Sequence, residues 1–200
     1  MLGKVRIALW GLVVVAAAAL GFLLLRPSPE LPAPSETGLP LASIGGPFTL
    51  VGGDGQPFSS ARLAGKPFAI FFGFTHCPDV CPTTLSRLAR LRRQLGQGDD
   101  AFSIVFVSVD PERDGPAEVG AYAALFDTPV IGLTGTQAQI EQVKKNYAVF
   151  SAKAPQAGGD YSVDHTASVF LMDRAGKFVA TLAPEESDTV ALAKLRRIAT

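Results

Sequence analysis

FAIFFGFTHCPDVCPTTL, residues Phe68 to Leu85, is the stretch on which the fold turns. Phe68 to Phe74 is an unbroken apolar run, suited to a strand buried on both faces. Pro82 then opens a helix, where its missing N–H costs nothing. Leu85, Leu88, Leu91 and Leu95 form the apolar stripe of that helix, and Gly96 ends it. Between strand and helix stand the two cysteines of the chain, Cys77 and Cys81, spaced C-x-x-x-C. A thiol at this junction faces the positive end of a helix dipole, which predicts a lowered thiol pKa. Pro78 and Pro82 limit how far a regular helix extends back across the motif, so an irregular turn with both sulfurs on one side is expected. Residues four apart sit one helical turn from each other, close enough to share a metal or to form a disulfide.

Working outward, PFTLVGGDGQPFSS (47–60) reads as two short strands about a Gly-Asp-Gly turn. Phe102 to Val109 is a second buried strand, followed by a helix over about 116–126 and a short strand near Val130 to Leu133. Thr136 caps a helix running through Tyr147. Ser151 to Asp164 has no helical pattern and contains Gly158-Gly159, so it reads as a loop or hairpin insertion. Ala167 to Met172 and Phe178 to Leu182 flank the turn DRAGK as a hairpin, with Met172 in the core by alternation. A last helix covers Asp188 to Ile198. Strand–helix–strand, a further helix, then hairpin and helix is the order of a thioredoxin-like α/β domain with a central mixed sheet.

Ahead of that domain lies Ile7 to Leu25, nineteen residues without a charge. As a helix at about 1.5 Å per residue it reaches roughly 28 Å, nearly the hydrocarbon thickness. A cleaved signal peptide is the competing reading, but its apolar region is normally about 7–15 residues. The expectation is therefore a membrane anchor over 1–26, a Pro-rich linker over 27–40 and a domain over 41–200. Lys4 and Arg6 would hold the N-terminus in the cytoplasm, giving a single-pass protein of the inner membrane with its domain in the periplasm or equivalent space. The 18 basic and 18 acidic residues balance overall. Without Lys4, Arg6 and Arg26, 15 bases remain against 18 acids. A weakly acidic domain has no electrostatic reason to bind nucleic acid.

Export makes a structural disulfide the first reading of a cysteine pair. Across three residues, however, a bridge closes a tiny loop and removes little unfolded-chain entropy. A metal is the alternative, and the candidate imidazoles are His76 and His165, with no third cysteine in the chain. Structural zinc asks for four ligands, which would require His76, adjacent to Cys77, to turn inward. Two thiolates and one imidazole suit copper, as three-coordinate Cu(I) or as Cu(II) with an added oxygen ligand. His165 follows the Gly-containing loop, on the side of this fold where the dithiol lies. His76 is placed at the mouth of the site. Asp79 reads as a helix cap or a support to the ligands. Asp164 would orient the His165 imidazole or lend Cu(II) an oxygen, or serve a simple turn. Asp110, Glu112 and Asp114 offer either a hard-cation site or a solvated loop starting the next helix. A peroxidatic cysteine would need a threonine and an arginine around it; Thr75 lies two residues from Cys77 and no partner arginine is evident.

FFGFTHCPDVCPTTL, VSVDPERD and DYSVDHTASVFLMDRAGK together resemble the Sco/SenC family of copper chaperones, from about Ile44 to the C-terminus. The resemblance implies a membrane-anchored, thioredoxin-fold assembly factor for cytochrome c oxidase. Its copper ligands would fall on Cys77, Cys81 and His165. Thr166 stands where serine is frequent in that family, and Phe170 where tyrosine is frequent; neither removes a ligand. The implied role is delivery of copper, as Cu(I) or Cu(II), to the dinuclear copper centre of oxidase subunit II. The alternative is a thiol–disulfide reductase that keeps that subunit's cysteines reduced through Cys77 and Cys81. Copper binding needs the reduced thiolates, so the two roles can be successive steps.

Overall fold

Phe68 to Gly73 forms strand β3, buried at every residue, and the rest of the domain is arranged around it. The computed structural model describes Trp10, Phe22 and residues 44–156 and 158–199. The chain divides into two units, Met1–Gly38 and Leu39–Thr200, and the fold is that of the second. The anchor expected over residues 7–25 and the linker over 27–40 lie outside the described residues, Trp10 and Phe22 apart. Among the described residues no helix is long and apolar enough to cross a membrane.

Among the described residues, nine strands and four α-helices make up the domain. β1 (Thr49–Gly52) and β2 (Pro57–Ser59) form the expected hairpin; β3 is followed by helix α1 (Val80–Gln94) and β4 (Ser103–Ser108). Helix α2 (Pro116–Ala123), β5 (Val130–Thr134) and helix α3 (Gln137–Asn146) come next. Then follow β6 (Ser151–Pro155), β7 (Tyr161–His165), β8 (Val169–Met172), β9 (Phe178–Leu182) and helix α4 (Asp188–Ala199). The main sheet has seven strands in the order β2-β1-β5-β4-β3-β8-β9. β3, β4 and β5 run parallel, whereas β8 and β9 add on antiparallel beside β3. Parallel central strands need both faces covered, which is why β3 and β4 read as continuous apolar runs. This is the mixed α/β thioredoxin-like architecture, with helices flanking a central sheet.

Element bounds differ from the sequence reading at several ends, while the 151–164 segment takes the hairpin form of its loop-or-hairpin reading. Helix α1 starts at Val80, two residues before Pro82, which still falls in the first turn, where no N–H partner is needed. The 151–164 segment is a hairpin, β6–β7, and it pairs only with itself, forming a two-stranded sheet apart from the main one. Leu85, Leu88 and Leu91 of α1 are buried as the stripe predicts, and Gly96 past its end takes φ +75°. Thr136 caps α3 in a reciprocal capping box with Gln139. Met172 lies in the core with no exposed surface.

Candidate metal centre

The end of β3 sets the depth of the site. A Cβ on Gly73 would lie 2.6 Å from the Cys81 sulfur, so only the bare α-carbon lets the first turn of α1 press this close to the strand. Beyond Gly73 the chain turns, with the Cys77 N–H donating to the Phe74 carbonyl at 3.3 Å. The Cys81 N–H, in that first helical turn, points at the Cys77 sulfur at 3.4 Å. Both cysteines are free; Cys81 is completely buried and Cys77 is partly exposed.

His165, the last residue of β7, brings its Nε2 to 3.6 Å from the Cys81 sulfur. Its Nδ1 lies 3.1 Å from the Thr166 carbonyl. A carbonyl can only accept, so Nδ1 carries the proton and the Nε2 lone pair faces the sulfur. The imidazole sits edge-on to Phe71 and Phe74, with ring centroids 5.9 and 5.8 Å away. The ligand atoms of Cys77, Cys81 and His165 all lie within 4.8 Å of one another. Among the described residues theirs is the one such group of cysteine, histidine and carboxylate side chains.

Burial governs the titration of this site. It pushes the Cys81 thiol well above its ordinary value, and the neighbouring Cys77 adds to the shift against a backbone hydrogen bond at Phe74. The lowered thiol pKa expected from the helix dipole does not hold at Cys81, because desolvation outweighs the dipole. Burial also lowers the His165 pKa, opposed by the Thr166 carbonyl and the charge of Asp164. Its imidazole is therefore neutral, the form that binds metal.

The remaining candidates sort by their contacts. Asp79 occupies the cap position of α1, but its carboxylate makes no cap to the backbone and instead accepts from the Thr83 hydroxyl at 3.2 Å. Asp164 is exposed and reaches His165 only through its charge; the Thr166 carbonyl orients the ring instead. His76 stands at the mouth, its side chain about half exposed, with Nδ1 near the Thr75 hydroxyl and Asp114. The acidic trio is neither a cation site nor a solvated loop. Asp114 is fully buried and accepts from the Thr75 N–H, the Thr75 hydroxyl and the Ser108 hydroxyl. Asp110 is buried against Arg113 and Tyr161, while Glu112 pairs with Lys153. Each carboxylate has its own partners and the three do not converge. Thr75 is likewise committed to Asp114 and unavailable to a peroxidatic cysteine.

Sequence reasoning missed Gly73 and the Thr166 carbonyl, and gave Asp114 a different role. A glycine closing a strand looks like any turn glycine, and a backbone carbonyl has no letter of its own. Two soft thiols and an oriented neutral imidazole fit copper by donor chemistry, and a structural zinc would lack its fourth ligand.

The profile of the family described as SCO1/SenC matches residues 36–200. The mitochondrial SCO1 homolog 1 of Arabidopsis thaliana is 40% identical over 139 residues, 69% of this chain and 42% of that protein. The chain spans about half the length, or less, of the first curated relatives it matches. Bradyrhizobium japonicum ScoI, solved with copper bound, superimposes with a TM-score of 0.70 at 44% identity. That match covers 78% of this chain and 99% of the solved one. BsSco, described as carrying a disulfide switch and as a member of the Sco family of cytochrome c oxidase assembly proteins, matches at 26% identity and TM-score 0.63. The match covers 80% of this chain and 96% of BsSco.

Proposed function

This chain belongs to the SCO1/SenC family, and from that premise we propose that it carries copper on Cys77, Cys81 and His165 to the dinuclear copper centre of cytochrome c oxidase subunit II. The observation that carries the reading is the convergence of two thiols and one imidazole within 4.8 Å, with the imidazole lone pair already facing sulfur. Copper is cargo here, and the chain's residues divide the labour by burial. Cys81, fully buried, forms the inner wall that retains the ion, and His165 closes on it from a separate element. Cys77, partly exposed like His165, is the thiol at which exchange with an acceptor thiolate begins. Both thiols lose their protons as copper binds, so loading releases protons and favours higher pH.

A second reading is supported by the free cysteine pair itself and by the disulfide switch of BsSco. Cys77, partly exposed beside the start of a helix, attacks a disulfide of subunit II as thiolate. The mixed disulfide is then resolved by Cys81, leaving the target as two thiols and this chain as a Cys77–Cys81 disulfide. The same cysteines serve both roles, and only the carrier needs His165.

The layout proposed for the whole chain is an anchor helix over about 7–25, a linker over 27–40 and the domain from 41 onward. The domain then stands on the extracytoplasmic side of the inner membrane, within reach of oxidase subunits.

Titration of the reduced protein with copper tests the site. One copper per chain is expected, with sulfur-to-Cu(II) charge-transfer absorption. His165→Ala weakens Cu(II) binding by about tenfold or more, whereas His76→Ala leaves it near wild type. Equal effects of the two substitutions would overturn the ligand assignment. In a strain carrying only the His165→Ala variant, oxidase activity at limiting copper falls and recovers with added copper if carriage is the main role. Full activity at limiting copper would promote the reductase.

A further inference from the structure

The hairpin that ends in His165 is not hydrogen-bonded to the main sheet. β6 and β7 pair with each other from Ser151↔His165 to Pro155↔Tyr161, and neither joins the seven-stranded sheet. Val149 and Val163 enter the core and Lys153 of β6 pairs with exposed Glu112, and a more buried set of side chains around Arg113, in the loop after β4, ties the hairpin laterally. The Arg113 Nε donates to Asp110 Oδ2 at 2.6 Å. Its Nη1 reaches across to the hairpin, donating to the Tyr161 carbonyl at 2.9 Å and to Asp160 at 3.1 Å. The guanidinium lies 3.7 Å from the centroid of the Tyr161 ring, whose hydroxyl donates to Asp110 Oδ1 at 2.9 Å. Asp110 therefore receives both the arginine of the loop and the tyrosine of the hairpin.

The parts of this arrangement are unequal. Asp160 is largely exposed, so its ion pair is screened by water and contributes little. Asp110 is buried, its bonds are short, and the stacked guanidinium is a planar group that lysine cannot replace. The arrangement also touches the site from behind. Arg113 lies 5.9 Å from the Phe74 ring, and Phe74 is one of the two rings against which His165 rests.

We propose that Arg113, with Tyr161 and Asp110, is a clasp that holds the β6–β7 hairpin in register with the dithiol and so sets how tightly Cu(II) is held through His165. Arg113 is a positioning residue and does not touch the metal. Release of the clasp lets the hairpin swing, and the apparent affinity falls by the fraction of chains with His165 in place. Cu(I), satisfied by soft thiolates, depends on that fraction less than Cu(II) does. This inference rests on His165 being a copper ligand.

A double-mutant cycle tests it in the full-length protein. Competitive Cu(II) titrations compare Arg113→Ala, Arg113→Lys and Tyr161→Leu, each alone and combined with His165→Ala. Arg113→Ala weakens Cu(II) about tenfold in the wild-type background, equivalent to about a tenth of chains clasped. Arg113→Lys, which keeps the charge beside Asp110 and is expected to fold, weakens it less. In the His165→Ala background none of the three has a further effect, because the residue they act through is gone. In the metal-free protein, the ring-current shifts that Phe71 and Phe74 impose on the His165 ring protons shrink in the same order. Equal losses with and without His165 would reveal general loosening and overturn the clasp, as would unchanged Cu(II) affinity in the single variants. If wild type and His165→Ala bind Cu(II) alike, the ligand assignment itself falls and takes the clasp with it.

Discussion

Cys81 and His165 face each other at 3.6 Å and are pushed by the same burial toward their uncharged forms. For the thiol, the folded pKa lies above the ordinary 9.0. Above about pH 9 the unfolded chain therefore binds fewer protons than the native one, and stability falls as pH rises. For the imidazole, the folded pKa lies below the ordinary 6.5. Its contribution is present above that value and is lost as pH falls through the folded pKa, since the unfolded chain then binds more protons. Thermal unfolding of the reduced, metal-free protein is expected to show a plateau between these limits, with a loss on the alkaline side. Cys81→Ala flattens the alkaline limb. An alkaline limb unchanged in that variant would show that another group controls it.

At the scale of elements, Asp114 stitches the ends of β3 and β4 together. It accepts two bonds from Thr75, just past β3, and one from Ser108, the last residue of β4. Asn at this position keeps an oxygen for the Thr75 N–H and the Ser108 hydroxyl but puts NH2 against the Thr75 hydroxyl, which must turn its proton away. The charge that strengthened all three bonds is also lost, and the two effects together cost about 1–3 kcal/mol. Asp114→Asn is thus expected to lower the denaturation midpoint and to weaken copper binding by loosening the turn that carries Cys77, read by chemical denaturation and copper titration. The strand–turn–helix around the dithiol was legible because apolar period, proline position and cysteine spacing are all local signals. So were the strands from β1 to β5 and the helix cap at Thr136. The role of the acids was not. DPERD reads as a solvated loop by composition, and only packing against the hairpin and against Thr75 buries Asp110 and Asp114. The start of α1 at Val80 was missed for a related reason, since proline is tolerated anywhere in a first turn. The three converging residues were legible as residue types; the tautomer of the imidazole and the space left by Gly73 were not.

For the whole molecule, the proposed anchor and linker make a topological prediction. Full-length protein should stay with membranes through a high-salt wash, and its domain should be open to protease added to spheroplasts. Release as a shortened soluble protein would show cleavage near the alanines that follow the apolar start of the chain. The domain draws its site from two places in the chain, with His165 84 residues beyond Cys81 and β4 and β5 lying between them. The cysteine pair is complete as soon as a short local segment exists. The histidine arrives only after a long loop closes and β8 docks beside β3, the slower kind of event in folding. If the chain is exported as proposed, it passes during folding through an interval in which its dithiol is open to oxidants and has no imidazole over it. Premature disulfide formation is then a hazard of biogenesis as well, and a reductant present during folding is expected to raise the yield of copper-binding molecules.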